Sequence, residues 1–167
     1  MSIDRIGVLG AGAWGTALAL AAQRAGRQTV LWSRRPDQAE TMRRTRENAD
    51  YLPGIVLPPG LTITSDPAEA ISGADALLLV IPAQHMRGAL AAFDIPAGIP
   101  LISAAKGIEL STDKTMSAVL RELLPNNPAA VLSGPSFANE TAAGKPTAVT
   151  LAAADRDLAL TLVEALN

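Results

Sequence analysis

Short, nearly unbroken apolar runs alternate along the chain with longer segments whose apolar residues recur at helical spacing. Ile6-Gly7-Val8-Leu9, Thr29-Val30-Leu31-Trp32 and Ala76–Ile81 hold too few polar residues to leave a face in water, so each predicts a strand buried on both sides. Thr16–Ala25, rich in Ala and Leu and closed by Gly26, predicts a helix with a glycine stop. Pro36–Glu47 reads as a polar surface helix anchored by Met42, with proline in its first turn. Asn48–Gly60, interrupted by Pro53, Gly54, Pro58 and Pro59, reads as a loop. Leu61–Thr64 predicts a strand, and Asp66-Pro67-Ala68-Glu69 a helix start with an N-cap, an N1 proline and a capping-box acid. Further along, a helix is predicted from Pro82 to Phe93, a strand over Pro100–Ala104 and a helix over Thr115–Leu124. Ala130–Leu132 and Thr147–Leu151 predict two more strands, flanking a turn and a short helix near Glu140, and Asp155 caps a last helix to Leu166. Such alternation predicts an α/β fold, a doubly wound and mostly parallel sheet with extra strands at its C-terminal end.

Between the first strand and the first helix stands Gly10-Ala11-Gly12-Ala13-Trp14-Gly15, which fits G-x-G-x-x-G and narrows the fold to a Rossmann-type dinucleotide-binding domain. Gly10 permits the tight turn, Gly12 leaves room for a pyrophosphate, and Gly15 lets helix and strand pack closely. The helix N-terminus adds unpaired N–H groups and the positive end of a dipole. The second strand ends, about 20 residues on, where an acid would bind ribose hydroxyls in an NAD site. Here it ends instead in Trp32-Ser33-Arg34-Arg35. Ser33 and two guanidinium groups suit a 2′-phosphate, so NADP(H) is preferred and NAD(H) remains open.

Composition sharpens this only at the margins. With 49% hydrophobic residues in 167, the chain can bury a core, which excludes disorder and suits one domain over residues 1–167. Fourteen basic against sixteen acidic residues leave a net charge of −2, which argues against a nucleic-acid partner. No cysteine is present, excluding disulfides, thiolate nucleophiles and Cys-ligated metals. Glu109 and Asp113 lack a second cluster of hard ligands, so no metal site is expected. The opening residues do not resemble a signal peptide, and the longest apolar candidate, Ala74–Ala83, is interrupted by Asp75 and Pro82. A cytoplasmic protein without a membrane partner is therefore expected. His85, the lone histidine, reads as structural or exposed, and Arg43-Arg44-Arg46 as an exposed helix face.

Five segments occur together in one order: Gly10-Ala-Gly-Ala-Trp-Gly-Thr-Ala-Leu18, Leu31-Trp32-Ser33-Arg34-Arg35, Asn48-Ala-Asp-Tyr-Leu-Pro53, Ala105-Lys106-Gly107-Ile108-Glu109 and Ser133-Gly-Pro-Ser-Phe-Ala138. Together they closely resemble the bacterial-type NAD(P)-dependent glycerol-3-phosphate dehydrogenases. The most specific element is Ser133–Ala138, followed by Glu140 and by Gly144-Lys145-Pro146-Thr147-Ala148. The resemblance implies reversible hydride transfer between NAD(P)H and dihydroxyacetone phosphate, giving sn-glycerol 3-phosphate for phospholipid synthesis. It implies coenzyme contacts at Ala13, Trp14, Arg34, Arg35, Tyr51 and Ala138, besides the glycines. It places Lys106 against coenzyme and substrate, and Gly134 and Ser136 against substrate, a phosphorylated triose. On the residues alone, Lys106 is equally an exposed loop lysine, and Ser136 equally a cap for the following helix.

The family's proton-donor lysine lies in a Gly-Gly-Ala-Leu-Lys-Asn-type motif within a C-terminal helical substrate domain, and no such motif occurs here. The expectation is a coenzyme-binding half that holds its cofactor but turns over little or not at all, with no catalytic residue of its own and a homodimer possible for the full-length protein. Related Rossmann dehydrogenases of ketopantoate reductase or 6-phosphogluconate type, and a stand-alone nucleotide-sensing module, are the alternatives.

Overall fold

A computed structural model describes residues 2–167. The chain runs β1 (Arg5–Leu9), α1 (Ala13–Arg24), β2 (Gln28–Trp32), α2 (Pro36–Thr45), β3 (Glu47–Asn48), β4 (Leu52–Val56), β5 (Thr62–Thr64), α3 (Pro67–Ile71), β6 (Ala76–Leu79), α4 (Ala83–Ala91), β7 (Leu101–Ser103), β8 (Ile108–Glu109), β9 (Lys114–Thr115), α5 (Met116–Leu123), β10 (Ala129–Ser133), α6 (Ala138–Ala142), β11 (Thr150–Ala153) and α7 (Arg156–Leu166). Seven strands form one sheet in the order β11-β10-β7-β6-β1-β2-β5. All neighbours are parallel except β11, which runs antiparallel to β10 at the edge. This is the expected Rossmann-type sheet, closed at its C-terminal end by a reversed strand.

The apolar runs are strands because successive side chains feed two cores. Ile6, Val8, Leu31 and Leu78 pack with α1, α2, α6 and α7 on one face. Leu9, Val30, Leu77 and Leu79 pack with α3, α4 and α5 on the other. Neither face of β1, β2 or β6 reaches water, which is why alternation with polar residues is missing there. Gly7 belongs to this packing: a Cβ at that position would stand 2.2 Å from the Ala70 carbonyl oxygen, so α3 can approach β1 only across a glycine.

Caps hold where local chemistry suffices. Asp66 accepts from the Ala68 N–H and Asp155 from the Leu158 N–H. The reciprocal half of the capping box is not formed, because the Asp66 N–H donates to Thr64 Oγ1 instead. Three features correct or add to the expected elements. The segment Asn48–Gly60 contains an antiparallel hairpin, β3–β4, rather than a loop alone. A second small hairpin, β8–β9, follows β7. The last strand starts at Thr150, not Thr147. Arg46 also leaves the exposed face: it adopts a left-handed backbone (φ 53°) and folds back to donate to the carbonyls of Leu57, Pro58 and Leu61.

Candidate functional site

Strand order reverses at β1, whose neighbours β2 and β6 are reached by crossovers on opposite faces of the sheet. Crevices at such switch points lie beyond the carboxyl ends of the strands. Two cavities open there. The first, about 560 Å³, is lined by Gly10, Gly12, Arg34, Arg35, Tyr51 and His85 among others. The second, about 350 Å³, is lined by Ala13, Trp14, Lys106, Ser136, Phe137 and Ala138 among others. Val80, Ile81 and Pro82 line both, so the two form one trough across the ends of β1 and β6. Pro82 ends the β6 run and starts α4, which gives this ridge its shape.

The glycine turn divides its work. Gly10 has φ +125°, and a Cβ there would lie 2.4 Å from the Val80 carbonyl oxygen. At Gly15 a Cβ would stand 1.8 Å from the Gly10 carbonyl oxygen, so helix and turn touch through it. At Gly12 nothing lies within 4 Å of a Cβ. Packing does not require glycine at Gly12, whereas close approach of a ligand would. Its place at the N-cap of α1, with no side-chain cap, leaves the first N–H groups of the helix turned toward the crevice. These features, with the room in the trough, fit a dinucleotide whose diphosphate rests on the helix end.

At the end of β2 the three polar residues separate. Ser33 lines the first cavity but is buried, and its hydroxyl donates to Gln38 Oε1 at 2.7 Å. Arg35 is held by Asp37 at 2.6 Å and Asp50 at 3.4 Å. The Asp37 carboxylate, through its hydrogen bond, raises the Arg35 pKa still further, and Arg35 in turn holds the Asp37 carboxyl below its ordinary value. Arg34 is exposed and makes no ion pair among the described residues.

In the second cavity Lys106 follows the end of β7, exposed and without an ion pair among the described residues. It is thus both a loop lysine and a cavity-lining one. The N-cap of α6 is Phe137 with no side-chain cap, so Ser136 does not cap that helix and lines the cavity instead. Gly134 is not among the lining residues. Its Cα meets another stretch of chain, where a Cβ would be 3.0 Å from the Val149 Cα. Phe137, 74% exposed at the rim, was not singled out by the sequence as a lining residue, and its apolar side chain offers no signal beyond the motif. His85 is exposed as expected, yet it borders the first cavity.

Behind Lys106 the β8–β9 hairpin is pinned to α4 and α5. Gln84 Nε2 donates to the Ile108 carbonyl at 2.7 Å, and the Leu110 N–H donates to Gln84 Oε1 at 3.0 Å. Arg87 forms a two-pronged pair with Glu109, both bonds 2.9 Å, and also reaches Glu122 at 3.1 Å. Arg87, with the Thr112 hydroxyl, holds the Glu109 carboxyl below its ordinary range. Lys114, and then Arg87, lower that of Glu122 to about 2. No group of three or more potential metal ligands occurs among the described residues, and no helix is long and apolar enough to cross a membrane.

Comparison with known proteins agrees with the trough. The family described as NAD-dependent glycerol-3-phosphate dehydrogenase N-terminus matches residues 5–159. A glycerol-3-phosphate dehydrogenase (NAD(P)+) from Rhodospirillum rubrum is 52% identical over 167 residues, covering 99% of this chain and 48% of its own length. The Azorhizobium caulinodans protein of the same name is 55% identical over 169 residues, with 99% and 51% covered. Among solved structures, the glycerol-3-phosphate dehydrogenase of Coxiella burnetii superposes with a TM-score of 0.92 at 34% identity, covering 99% of this chain and 51% of that one. The chain therefore spans about half the length of these relatives. With its glycine turn, its switch-point trough and this match, the chain belongs to the family of NAD-dependent glycerol-3-phosphate dehydrogenase N-terminal domains.

Proposed function

We propose that this chain is the coenzyme-binding half of an oxidoreductase that interconverts dihydroxyacetone phosphate and sn-glycerol 3-phosphate with NADP(H), or less favourably NAD(H). The observation that carries the reading is that the two cavities adjoin, sharing Val80, Ile81 and Pro82, with arginines lining one and Lys106 the other. Gly10, Gly12 and Gly15 shape the turn for the diphosphate, Ala13, Trp14 and Ala138 wall its passage, and Arg34, Arg35 and Tyr51 serve the adenosine end. Relatives named for NAD(P)+ support a site that accepts both coenzymes.

When bound, the dihydronicotinamide supplies the hydride. Lys106 presents a compact ammonium that offsets either the substrate phosphate or the negative charge growing on the reduced carbonyl oxygen. The Ser136 hydroxyl orients the substrate, and Gly134 allows its segment to lie close to the chain around Val149. The polar side chains bordering the second cavity are Lys106 and Ser136. In this reading a C-terminal helical domain supplies the proton donor and the closure that excludes water, and the full-length protein feeds glycerophospholipid synthesis in the cytoplasm.

Fluorescence titration of the 167-residue chain with NADPH, followed by a turnover assay with dihydroxyacetone phosphate, tests this. Saturable NADPH binding with little or no oxidation is expected. Robust reduction of dihydroxyacetone phosphate by this chain alone would overturn the division of labour.

A further inference from the structure

A cluster of buried polar side chains lies behind the glycine turn, two of them (Ser33 and Gln38) also lining the first cavity, and nothing in the hydride-transfer scheme uses it. Gln38 of α2 and Asn48 of β3 both donate to the Ala11 carbonyl, each at 3.0 Å. Their remaining amide hydrogens are also engaged: Gln38 Nε2 reaches Asn48 Oδ1 at 3.2 Å, and Asn48 Nδ2 reaches Thr16 Oγ1 at 2.8 Å. Gln38 Oε1 in turn accepts the Ser33 hydroxyl. Thr16, Ser33, Gln38 and Asn48 are all buried. Polar groups removed from water this fully are tolerated only when paired, and here both hydrogens of each amide find acceptors.

What the cluster holds is one peptide plane. No cis peptide bond occurs among the described residues, and across a trans peptide the C=O and N–H point in opposite directions. Two donors that draw the Ala11 carbonyl inward therefore turn the Gly12 N–H outward, into the crevice that Gly12 lines. Among the described residues no backbone acceptor takes that N–H. The same cluster reaches the end of β2 through Ser33, so the loop bearing Arg34 and Arg35 shares its frame.

We infer that Gln38 and Asn48 are positioning residues for the coenzyme diphosphate, aiming the Gly12 N–H through the Ala11 carbonyl. The inference rests on the dinucleotide reading given above. Its distinguishing feature is that the diphosphate, not the adenosine end, depends on the two amide donors.

The test titrates the 167-residue chain with NADPH, NADH and adenosine 2′-phosphate, which lacks the diphosphate. Gln38→Glu keeps the acceptor for Ser33 but turns an oxygen toward the Ala11 carbonyl. At about pH 8 it is expected to weaken NADPH and NADH alike, by about tenfold, while adenosine 2′-phosphate stays within about twofold. Burial beside the Ala11 carbonyl lifts the introduced carboxyl above its ordinary range, so lowering the pH protonates it, restores a donor and recovers affinity relative to wild type. Using that ratio cancels pH effects that wild type and variant share, from the 2′-phosphate and from His85, Arg34 and Arg35, which line the crevice. Gln38→Met removes the donor without adding charge and is expected to lose both dinucleotides with no pH recovery. Asn48→Asp is expected to follow Gln38→Glu. If Asn48→Asp does not fold, the Gln38 pair decides alone. Folded Gln38 variants that bind NADPH within twofold of wild type overturn the inference. So does parallel loss of adenosine 2′-phosphate in Gln38→Glu, which keeps the Ser33 acceptor; that would leave the cluster a merely structural role. A wild-type chain that binds neither dinucleotide overturns the coenzyme reading and this inference with it.

Discussion

Three glycines within one six-residue turn answer to three different forces, and substitution separates them. Gly15 is fixed by packing, since a Cβ there overlaps the Gly10 carbonyl. Gly15→Ala is expected to destabilise the fold by about 1–3 kcal/mol through overpacking, visible as a lowered melting temperature. Gly12 faces open space, at an extended backbone angle that any residue accepts. Gly12→Val is expected to melt within a few degrees of wild type, yet to lose NADPH binding because the side chain occupies the diphosphate's place. Calorimetry and titration on the same samples check both. The arginines separate in the same way. Arg35 is already paired with Asp37 and Asp50, whereas Arg34 has no such partner among the described residues. Arg34→Ala is expected to weaken NADPH by about tenfold and NADH by less than about twofold, with a smaller NADPH loss for Arg35→Ala. Equal losses for the two coenzymes would count against a 2′-phosphate clamp at Arg34.

The β8–β9 hairpin is too short to hold itself, because two residues per strand form few ladder bonds. Its position after Lys106 depends on side chains from α4 and α5, chiefly the Arg87–Glu109–Glu122 cluster, in which the Glu109 side chain is 6% exposed. The Glu122 carboxyl titrates at about 2 in the folded protein against an ordinary 4.5, and Glu109 is shifted the same way. The folded state therefore binds fewer protons than the unfolded chain across that interval. The cluster's contribution is complete above about pH 4.5 and is lost as pH falls toward 2. Amide exchange at Ile108–Thr115 is expected to rise through that window before the central strands exchange, and Glu122→Gln should blunt the rise. The other hairpin, β3–β4, escaped the reading of prolines and glycines as loop. Pro53 and Gly54 are breakers in an ordinary strand, but this short ladder carries a register shift, and the Gly54 N–H finds Glu47 Oε1 instead of a strand partner. Burial of Leu52 and Asn48 holds it, which no local signal announces.

At the scale of the whole molecule, α1 and the turn after it are tied to the far end of the chain by two arginines. Arg24 donates to the Thr141 and Ala142 carbonyls at the end of α6, and Arg27 to the Glu164 and Ala165 carbonyls at the end of α7. Both bond carbonyls at a helix terminus, and they join the N-terminal half of the sheet to its reversed edge. Binding at the trough draws on this entire frame, so a ligand specific for the folded state should stabilise it globally. NADPH at about a hundred times its Kd contributes about 2.7 kcal/mol, which for a chain of this size raises the melting temperature by roughly 5–11 °C. Dihydroxyacetone phosphate alone should raise it little. A thermal scan with each ligand checks the contrast.

The doubly wound sheet was legible because strands buried on both faces leave a run of apolar residues that few other structures need. The glycine turn was legible because its three constraints recur at fixed spacing beside a strand and a helix. Family motifs pointed to Lys106 and Ser136 as site residues, and only the folded chain showed that they border the same cavity as Trp14. Tertiary structure also decided that the Ser33 hydroxyl pairs with Gln38, that Arg34 and Arg35 part company, and that Gln38 and Asn48 meet at the Ala11 carbonyl. Gln38 and Asn48 lie 27 and 37 residues from Ala11 along the chain. Periodicity reports which face of an element is buried, but a polar side chain's partner depends on what the fold brings opposite it.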